Sequence, residues 1–496
     1  MNGNQNIPTQ DELDACNTMQ DKFKLKPPEL FYELNERGMS KLFSEIIHPY
    51  FVYNVTRKQW MYYNGKYWEE DIGGIRIQRE MKIFSHELLK YGVNEVGMAN
   101  EEFLDFVQSM GGAAKRKTLI KDAIDNNFVS EDAFDWNIFL FNCQDGTYDL
   151  QNQRFLPHNP KDMITKMSAA CYNPTATSKI LDDFMNEIFC GDAELIRYIY
   201  RIFGYSLSGL NNQECLFLFL GETTRNGKST LLNTFAYLLG ENSGYARNAD
   251  ISSLAQKKSV NGSAPSSDIC RLKGSRFVIA SEPAPDFVFD ESKIKSFTGQ
   301  DTITARLLYR NDVEFKPTFK IFIGTNHRPN VGDDSILESN RLRVIPFNRH
   351  FGADEQNRNL KERLKYPDVL AALLRKCIEG FNEFMQMGLN EPQAVIDASA
   401  QYQTQGQVLQ VFFDSQLHKE LGAATPLSTF YPLYTAWCTE NGFVPLSREK
   451  TNNYMRRKNL FKATATINGK TVRNILNGYR LKTSKDIAPN EIQCPF

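Results

Sequence analysis

The sequence predicts an α/β protein with a P-loop core, an N-terminal α/β region and a C-terminal winged helix. Three observations carry this. An apolar run at 215–220 leads into Gly221-Glu222-Thr223-Thr224-Arg225-Asn226-Gly227-Lys228-Ser229-Thr230. Behind it Leu231, Leu232, Phe235, Leu238 and Leu239 fall on one helical face before Gly240. Further short apolar runs follow at 276–280, 320–324 and 342–347, the first two leading into a polar residue. Finally, helical stretches after 405 give way to two strand-like segments around Asn468-Gly469.

Size and composition bound the rest. A chain of 496 residues suits two to three domains with real cores. The formal net charge of -1 gives no global nucleic-acid signature, so any such site must be local. Nine cysteines lie scattered without a C-x-x-C, and the six histidines do not cluster. With no signal-peptide pattern, this reads as a reduced, cytoplasmic chain without a zinc site. No apolar run is long enough to span a membrane.

In chain order, residues 1–40 read as a mobile, polar N-terminal tail with a short helix. An α/β domain is expected over 41–175. In it Asn64-Gly65 between the aromatic runs 60–63 and 66–68 signals a hairpin. Those aromatics read as the core of a small module rather than a base-stacking surface. Residues 81–125 look helical, with Lys115-Arg116-Lys117 on a solvated face. A hairpin meander follows around Asp145-Gly146. Two helices, 180–189 and 193–205, form a collar (176–210) that delivers the chain to the core, 211–395.

The core carries the chemistry. Glycines let backbone N–H groups turn around phosphates, and the helix N-terminus adds positive potential. Gly221, Asn226, Gly227, Lys228, Ser229 and Thr230 are the candidate ATP-binding residues. Lys228 would neutralise phosphate charge, and Ser229 would hold Mg²⁺ through its hydroxyl. Five residues separate Gly221 from Gly227, where the usual loop has about four. Residues 242–267 read as a polar loop near the nucleotide. The run 276–280 leads through Ser281 to Glu282, the form of a Walker B strand, and Glu282 could polarise water or help hold Mg²⁺. Asn326 closes the run 320–325, where a γ-phosphate sensor would sit. Arg341 and Arg343 flank the start of the next strand, and an arginine there could reach a neighbouring subunit's nucleotide. Between Glu282 and Asn326, Lys295 precedes a hairpin bearing Arg306, Arg310 near its tip, and Lys316. Such a hairpin could track a phosphate backbone in a ring pore without reading sequence.

Helices follow, clearest over 369–387, and Pro392 marks a boundary. The last module, 405–485, reads as a helix beginning at 408, a second containing 433–438 and a third starting at 446–450 with Ser447 as its cap, then strands 463–467 and 475–481. Arg456 and Arg457 on its third helix are candidate DNA contacts, although winged helices also bind proteins.

The order of these motifs resembles the superfamily III helicases, in particular the helicase part of the phage and plasmid primase–helicase family, which is related to the poxvirus enzymes. The resemblance rests on Asn226-Gly227-Lys228-Ser229-Thr230, Ala280-Ser281-Glu282, residues 295–301, residues 325–329 and residues 341–347. The segments 142–158 and 203–209, Leu433-Tyr434 and Trp437-Cys438 add to it, so that it covers roughly 45–485. It implies an AAA+-type core, a homo-hexameric ring and ATP sites shared between subunits. It further implies Glu282 as catalytic acid, Asn326 as sensor, Arg341 as the better candidate for the finger, and Lys295 in a DNA-linked motif. The expected activity is ATP-dependent DNA unwinding during replication on single-stranded or forked DNA, in a bacterial host if phage or plasmid encoded. No acidic-pair or zinc motif for a primase is visible, so a separate primase is an expected partner. The competing classes are a P-loop motor acting on another cargo and a DNA-binding initiator in which ATP controls assembly only.

Overall fold

A computed structural model describes residues 7–97, 100–241, 244–254, 267–280, 282–283, 288–306, 312–326, 329–331, 341–355, 357, 359–443, 445–467 and 470–482. Four short helices open the chain, at Gln10–Asp14, Met19–Leu25, Pro28–Phe31 and Glu36–Ile47. They correct the expectation of a mobile tail. Phe23 is fully buried and packs its ring against Phe84, while Lys22 Nζ donates to the Ile46 carbonyl at 2.9 Å. The polar composition concealed a few apolar anchors that belong to the first core.

That core lies against a four-stranded sheet of β1 (Phe51–Asn54), β2 (Gln59–Tyr63), β3 (Trp68–Glu70) and β4 (Phe128–Val129), in the order β3-β2-β1-β4. The hairpin across Asn64-Gly65 is present, and Trp60 and Trp68 are buried, which fits the core reading of the aromatics. Lys115 lies 3.5 Å from Glu36 and over the Phe106 ring. A meander of β5 (Leu140–Asn142), β6 (Thr147–Asp149) and β7 (Arg154–Leu156) follows, then the collar helices Lys179–Ile188 and Ala193–Tyr205.

The central unit contains β8 (Leu216–Leu220), β9 (Ala246–Ala249), β10 (Phe277–Ala280), β11 (Val288–Phe289), β12 (Ile303–Arg306), β13 (Asp312–Phe315), β14 (Lys320–Thr325), β15 (Asn330–Val331) and β16 (Leu342–Pro346). Five of these form one parallel sheet in the order β16-β8-β14-β10-β9. Alternation decides which side chain meets which layer. Phe217 and Phe219 of β8 join Phe203, Phe235, Phe277 and Phe322 on one face, where the Phe203 and Phe235 rings stack at 4.0 Å. Leu216, Leu218 and Leu220 join Val278, Ile321, Ile323 and Val344 on the other. A parallel sheet covered on both faces suits such apolar strands. β9 lies inside the stretch expected to be a loop. Its sequence Ala-Arg-Asn-Ala carries no strand pattern, and its pairing with β10 places it at the sheet edge.

At the amino ends of β10 and β14 two cations are buried. Arg276 donates to the carbonyls of Leu140 and Leu207. Lys320 Nζ donates to those of Ser208 at 2.6 Å and Leu210 at 2.9 Å. Their rings of contact, Tyr245 and Tyr205, lie beneath the charges. These bonds tie the meander and the turn after the collar to the sheet.

β12 and β13 form the expected antiparallel hairpin, whose tip, including Arg310, lies outside the described residues. After the helix Pro367–Met387 a single helix runs from Gln393 to Gln416. The boundary expected between 395 and 405 therefore falls within continuous helix. The C-terminal unit adds β17 (Leu417–Pro426), helices Leu427–Glu440 and Arg448–Arg457, β18 (Phe461–Ile467) and β19 (Lys470–Leu481), with the strands ordered β17-β19-β18. Among the described residues no helix is long and apolar enough to cross a membrane.

Candidate nucleotide site

The carboxyl ends of β8, β14 and β10 are neighbours, because the three strands are adjacent and parallel. Each ends in a residue singled out in the sequence. β8 runs into the loop from Gly221 to Gly227, and the helix Lys228–Leu239 starts directly behind it. Lys228 Nζ turns back and donates to Asn326 Oδ1 at 2.8 Å and to the Gly221 carbonyl at 3.3 Å. The backbone N–H and side-chain Nδ2 of Asn326 both donate to Glu282 Oε1, at 2.9 and 3.1 Å. The amide of Asn326 thus joins the lysine of one strand–loop to the carboxylate of another.

Burial is uneven across this trio. Lys228 is buried, Asn326 half-buried and Glu282 exposed. Burial pushes the Lys228 ammonium down to about 8, opposed by the charge of Glu282. A buried ammonium between two neutral oxygens is short of counter-charge, which an anion over the loop would supply. Gly227, at φ 87°, is the N-cap and offers no side chain to bond the first-turn amides. Those amides point along the helix axis toward the loop. A Cβ on Gly227 would sit 2.5 Å from Ile188 Cγ2 of the collar, so glycine is required there by space as well as by φ. Ser229 is exposed and Thr230 half-buried in the first turn.

The loop is held from behind. The carbonyl of Thr223 accepts from Asn226 Nδ2 at 2.6 Å, that of Thr224 faces His350 Nδ1 at 2.8 Å, and that of Arg225 accepts the Phe351 N–H at 2.9 Å. His350 and Phe351 belong to the irregular segment that leaves β16. No local motif marks them, and His350 lies 126 positions beyond Thr224.

The remaining candidates lie elsewhere. Arg341 precedes β16 at the amino end of the sheet, where its carbonyl accepts the Leu216 N–H. The length of β8, about 16 Å of strand, separates it from its own chain's glycine loop. It is held by Glu214 at 2.6 Å and Thr298 Oγ1 at 2.9 Å. Arg343 pairs with Glu391 at 2.5 Å. Lys295 is exposed on the helix Glu291–Thr298, and Arg306 and Lys316 are exposed on the hairpin that follows. Arg456 and Arg457 lie in the helix Arg448–Arg457, with the Arg456 guanidinium 4.6 Å over the Phe461 ring. The structure therefore gathers Gly221, Asn226, Gly227, Lys228, Glu282 and Asn326, and sets the cationic candidates apart from them.

Comparisons with known proteins match two separate stretches of the chain. Residues 40–190 match the family described as D5 N terminal like, and residues 219–341 match a family of unknown function, DUF5906. A protein of Acanthamoeba polyphaga mimivirus with a provisional helicase name, L207/L206, is 28% identical over 389 residues, covering 73% of this chain and 38% of its own length. Similarly named proteins of Frog virus 3 (022R) and Invertebrate iridescent virus 6 (184R) are each 27% identical, over 46% and 52% of this chain. They are matched over 25% and 27% of their own lengths, so the chain spans between a quarter and two fifths of these relatives. The solved apo C terminal region of NrS-1 is 11% identical, covering 86% of this chain and 96% of that one, at a TM-score of 0.38.

Proposed function

The D5-type match and the helicase-named viral relatives support membership of the phage-type primase–helicase family, and on that premise we propose that this chain is an ATP-dependent DNA helicase of phage or plasmid type. It is a helicase-like replication protein whose motor is an AAA+-type P-loop core. The observation that carries this is the Lys228–Asn326–Glu282 chain of hydrogen bonds at the carboxyl ends of adjacent parallel strands. In open α/β sheets ligands bind at those ends.

The residues fit ATP with Mg²⁺. Lys228 and the uncapped first-turn amides hold the β- and γ-phosphates. The Ser229 hydroxyl and the Glu282 carboxylate supply hard oxygens to the metal, which neutralises phosphate charge when bound. Glu282 also orients or deprotonates the attacking water, and the Asn326 side chain lies between that carboxylate and Lys228, so it registers whether a γ-phosphate is present. Arg341, at the amino end of the sheet and away from its own loop, would serve a neighbour's nucleotide in a homo-hexameric ring. Lys295, Arg306, Arg310 and Lys316 contact the phosphates of single-stranded DNA in the pore. The C-terminal order of helix, strand, two helices and two strands reads as a winged helix, with Arg456 and Arg457 on the helix that would face nucleic acid. A separate primase and a cytoplasmic site of replication complete the reading.

The deciding experiment is strand separation. The purified chain with ATP and Mg²⁺ should release the labelled strand of a forked duplex, and Lys228→Ala should release none. ATP turnover without strand release on any fork would instead favour a motor on another cargo.

A further inference from the structure

We propose that His350 is a positioning residue that sets the phosphate-facing surface of the glycine loop. The inference rests on the reading of that loop as a nucleotide site and goes beyond it. Its starting point is the extra residue: five residues lie between Gly221 and Gly227, and an added residue gives a loop more conformations to lose.

Three successive carbonyls, those of Thr223, Thr224 and Arg225, each meet a donor. Asn226 Nδ2 bonds the first, His350 the second and the Phe351 N–H the third. A trans peptide is planar, with its C=O and the following N–H on opposite sides. Holding each carbonyl therefore also sets the N–H that follows it, on Thr224, Arg225 and Asn226, facing away from that carbonyl's donor. Arg225, at φ 58°, takes the left-handed turn that a concave row of amides uses. With the first-turn amides of the helix behind Gly227, these N–H groups would serve an anion seated over the loop. Of the three donors, only that of His350 comes from a side chain outside the loop. To bond a carbonyl, Nδ1 must carry the proton, so the ring donates to Thr224 and orients the N–H of Arg225.

The segment carrying His350 is itself anchored. The Phe347 N–H donates to the Leu220 carbonyl at 2.7 Å, and the Phe347 ring packs on Phe189 and Phe219. The strand β16 and the glycine loop are thus stitched together at their exits, and His350 forms the outermost stitch, where the chain is exposed.

The test compares three variants of the full chain in steady-state ATP hydrolysis, with thermal unfolding measured alongside. His350→Ala loses the donor and should raise KM for ATP by about threefold to tenfold, the worth of one hydrogen bond, with kcat changed less. His350→Asn places an amide Nδ2 near the position of Nδ1 and should restore most of the affinity. His350→Asp presents an acceptor to the Thr224 carbonyl and should do worse than alanine. The unfolding temperature should stay within a degree or two for all three. Equal KM for the alanine and asparagine variants, or a KM loss that tracks the unfolding temperature, overturns the proposal. Lys228→Ala in the same assay separates the two readings: if it retains turnover, the nucleotide site itself is wrong. If it is dead while His350→Ala matches the parent, only the role of His350 fails.

Discussion

Burial holds the Lys228 ammonium near the pH at which it titrates, about 8. Phosphate favours the charged form, so binding nucleotide raises this value. On the proposed reading, affinity for ATP should be complete below about pH 8 and be lost as pH rises between the free and bound values, because the free protein must first take up a proton. KM for ATP measured from about pH 7 to about pH 10 should show that loss, and Lys228→Arg, always charged, should remove the break. A profile unchanged by the arginine would assign the break to another group. Glu282→Gln keeps the bonds from Asn326 in shape but cannot take a proton. It should retain ATP binding while hydrolysis falls about 10²-fold or more, and nucleotide affinity lost together with turnover would point to a metal-holding or structural role instead. These residues were legible because strand, glycine loop and helix are neighbours in sequence, and because a polar residue closing a short apolar run stands out against it. His350 was not, since its partner Thr224 lies far back in the chain and nothing around it is periodic.

At the level of elements, the strands with apolar side chains on both faces were readable, and β9 was not. Nothing in Ala246–Ala249 favours a strand except the edge of β10 beside it, so tertiary pairing decided the conformation. The helices before residue 47 failed for a related reason: single anchors such as Phe23 and Leu13 are too sparse to register as periodicity, yet each is buried. The inserted hairpin was recovered as an element, whereas the helix Glu291–Thr298 before it was not read from the sequence, and the cations of this stretch carry a functional expectation. Lys295→Ala and Arg310→Ala should preserve basal ATP hydrolysis and lose its stimulation by single-stranded DNA. The salt dependence of DNA binding should become shallower by about one phosphate contact for each change. Unwinding that survives both changes would shift DNA contact to the helix bearing Arg456 and Arg457.

Across the whole molecule, the units are joined by buried polar bonds that sequence patterns do not reveal. Lys320 is fully buried, and burial pushes it well below the ordinary lysine range. Lys320→Met keeps bulk but strands the Ser208 and Leu210 carbonyls, each unmet group costing about 1–3 kcal/mol. The first thermal transition should fall by several degrees, and an unchanged transition would show that water replaces the ammonium there. Assembly gives a second test at this scale. If Arg341 completes a neighbour's site, Lys228→Ala and Arg341→Ala subunits should each be inactive alone and regain ATPase activity when mixed. An arginine finger is worth about 10³–10⁵ in rate, so even a few restored interfaces should be measurable. Verified mixed oligomers without recovery would confine Arg341 to its bonds with Glu214 and Thr298.

The helix Gln393–Gln416 crosses from the central sheet to the C-terminal unit without a break. Its early turns lie along the sheet edge, where Ser399 Oγ accepts the Val344 N–H at 3.0 Å and the Tyr402 hydroxyl reaches the Pro329 carbonyl, three residues beyond Asn326. Its later turns supply Val408, Leu409, Phe412 and Phe413 to the other core. At about 1.5 Å per residue the rod is some 36 Å long, and it has no tether-like slack to absorb a twist. A load on the C-terminal unit would arrive as torque on β16 and on the strand end that carries Asn326. The helix acts as an axle keyed at both ends, so the small unit and the central sheet must turn together or strain the bond between them.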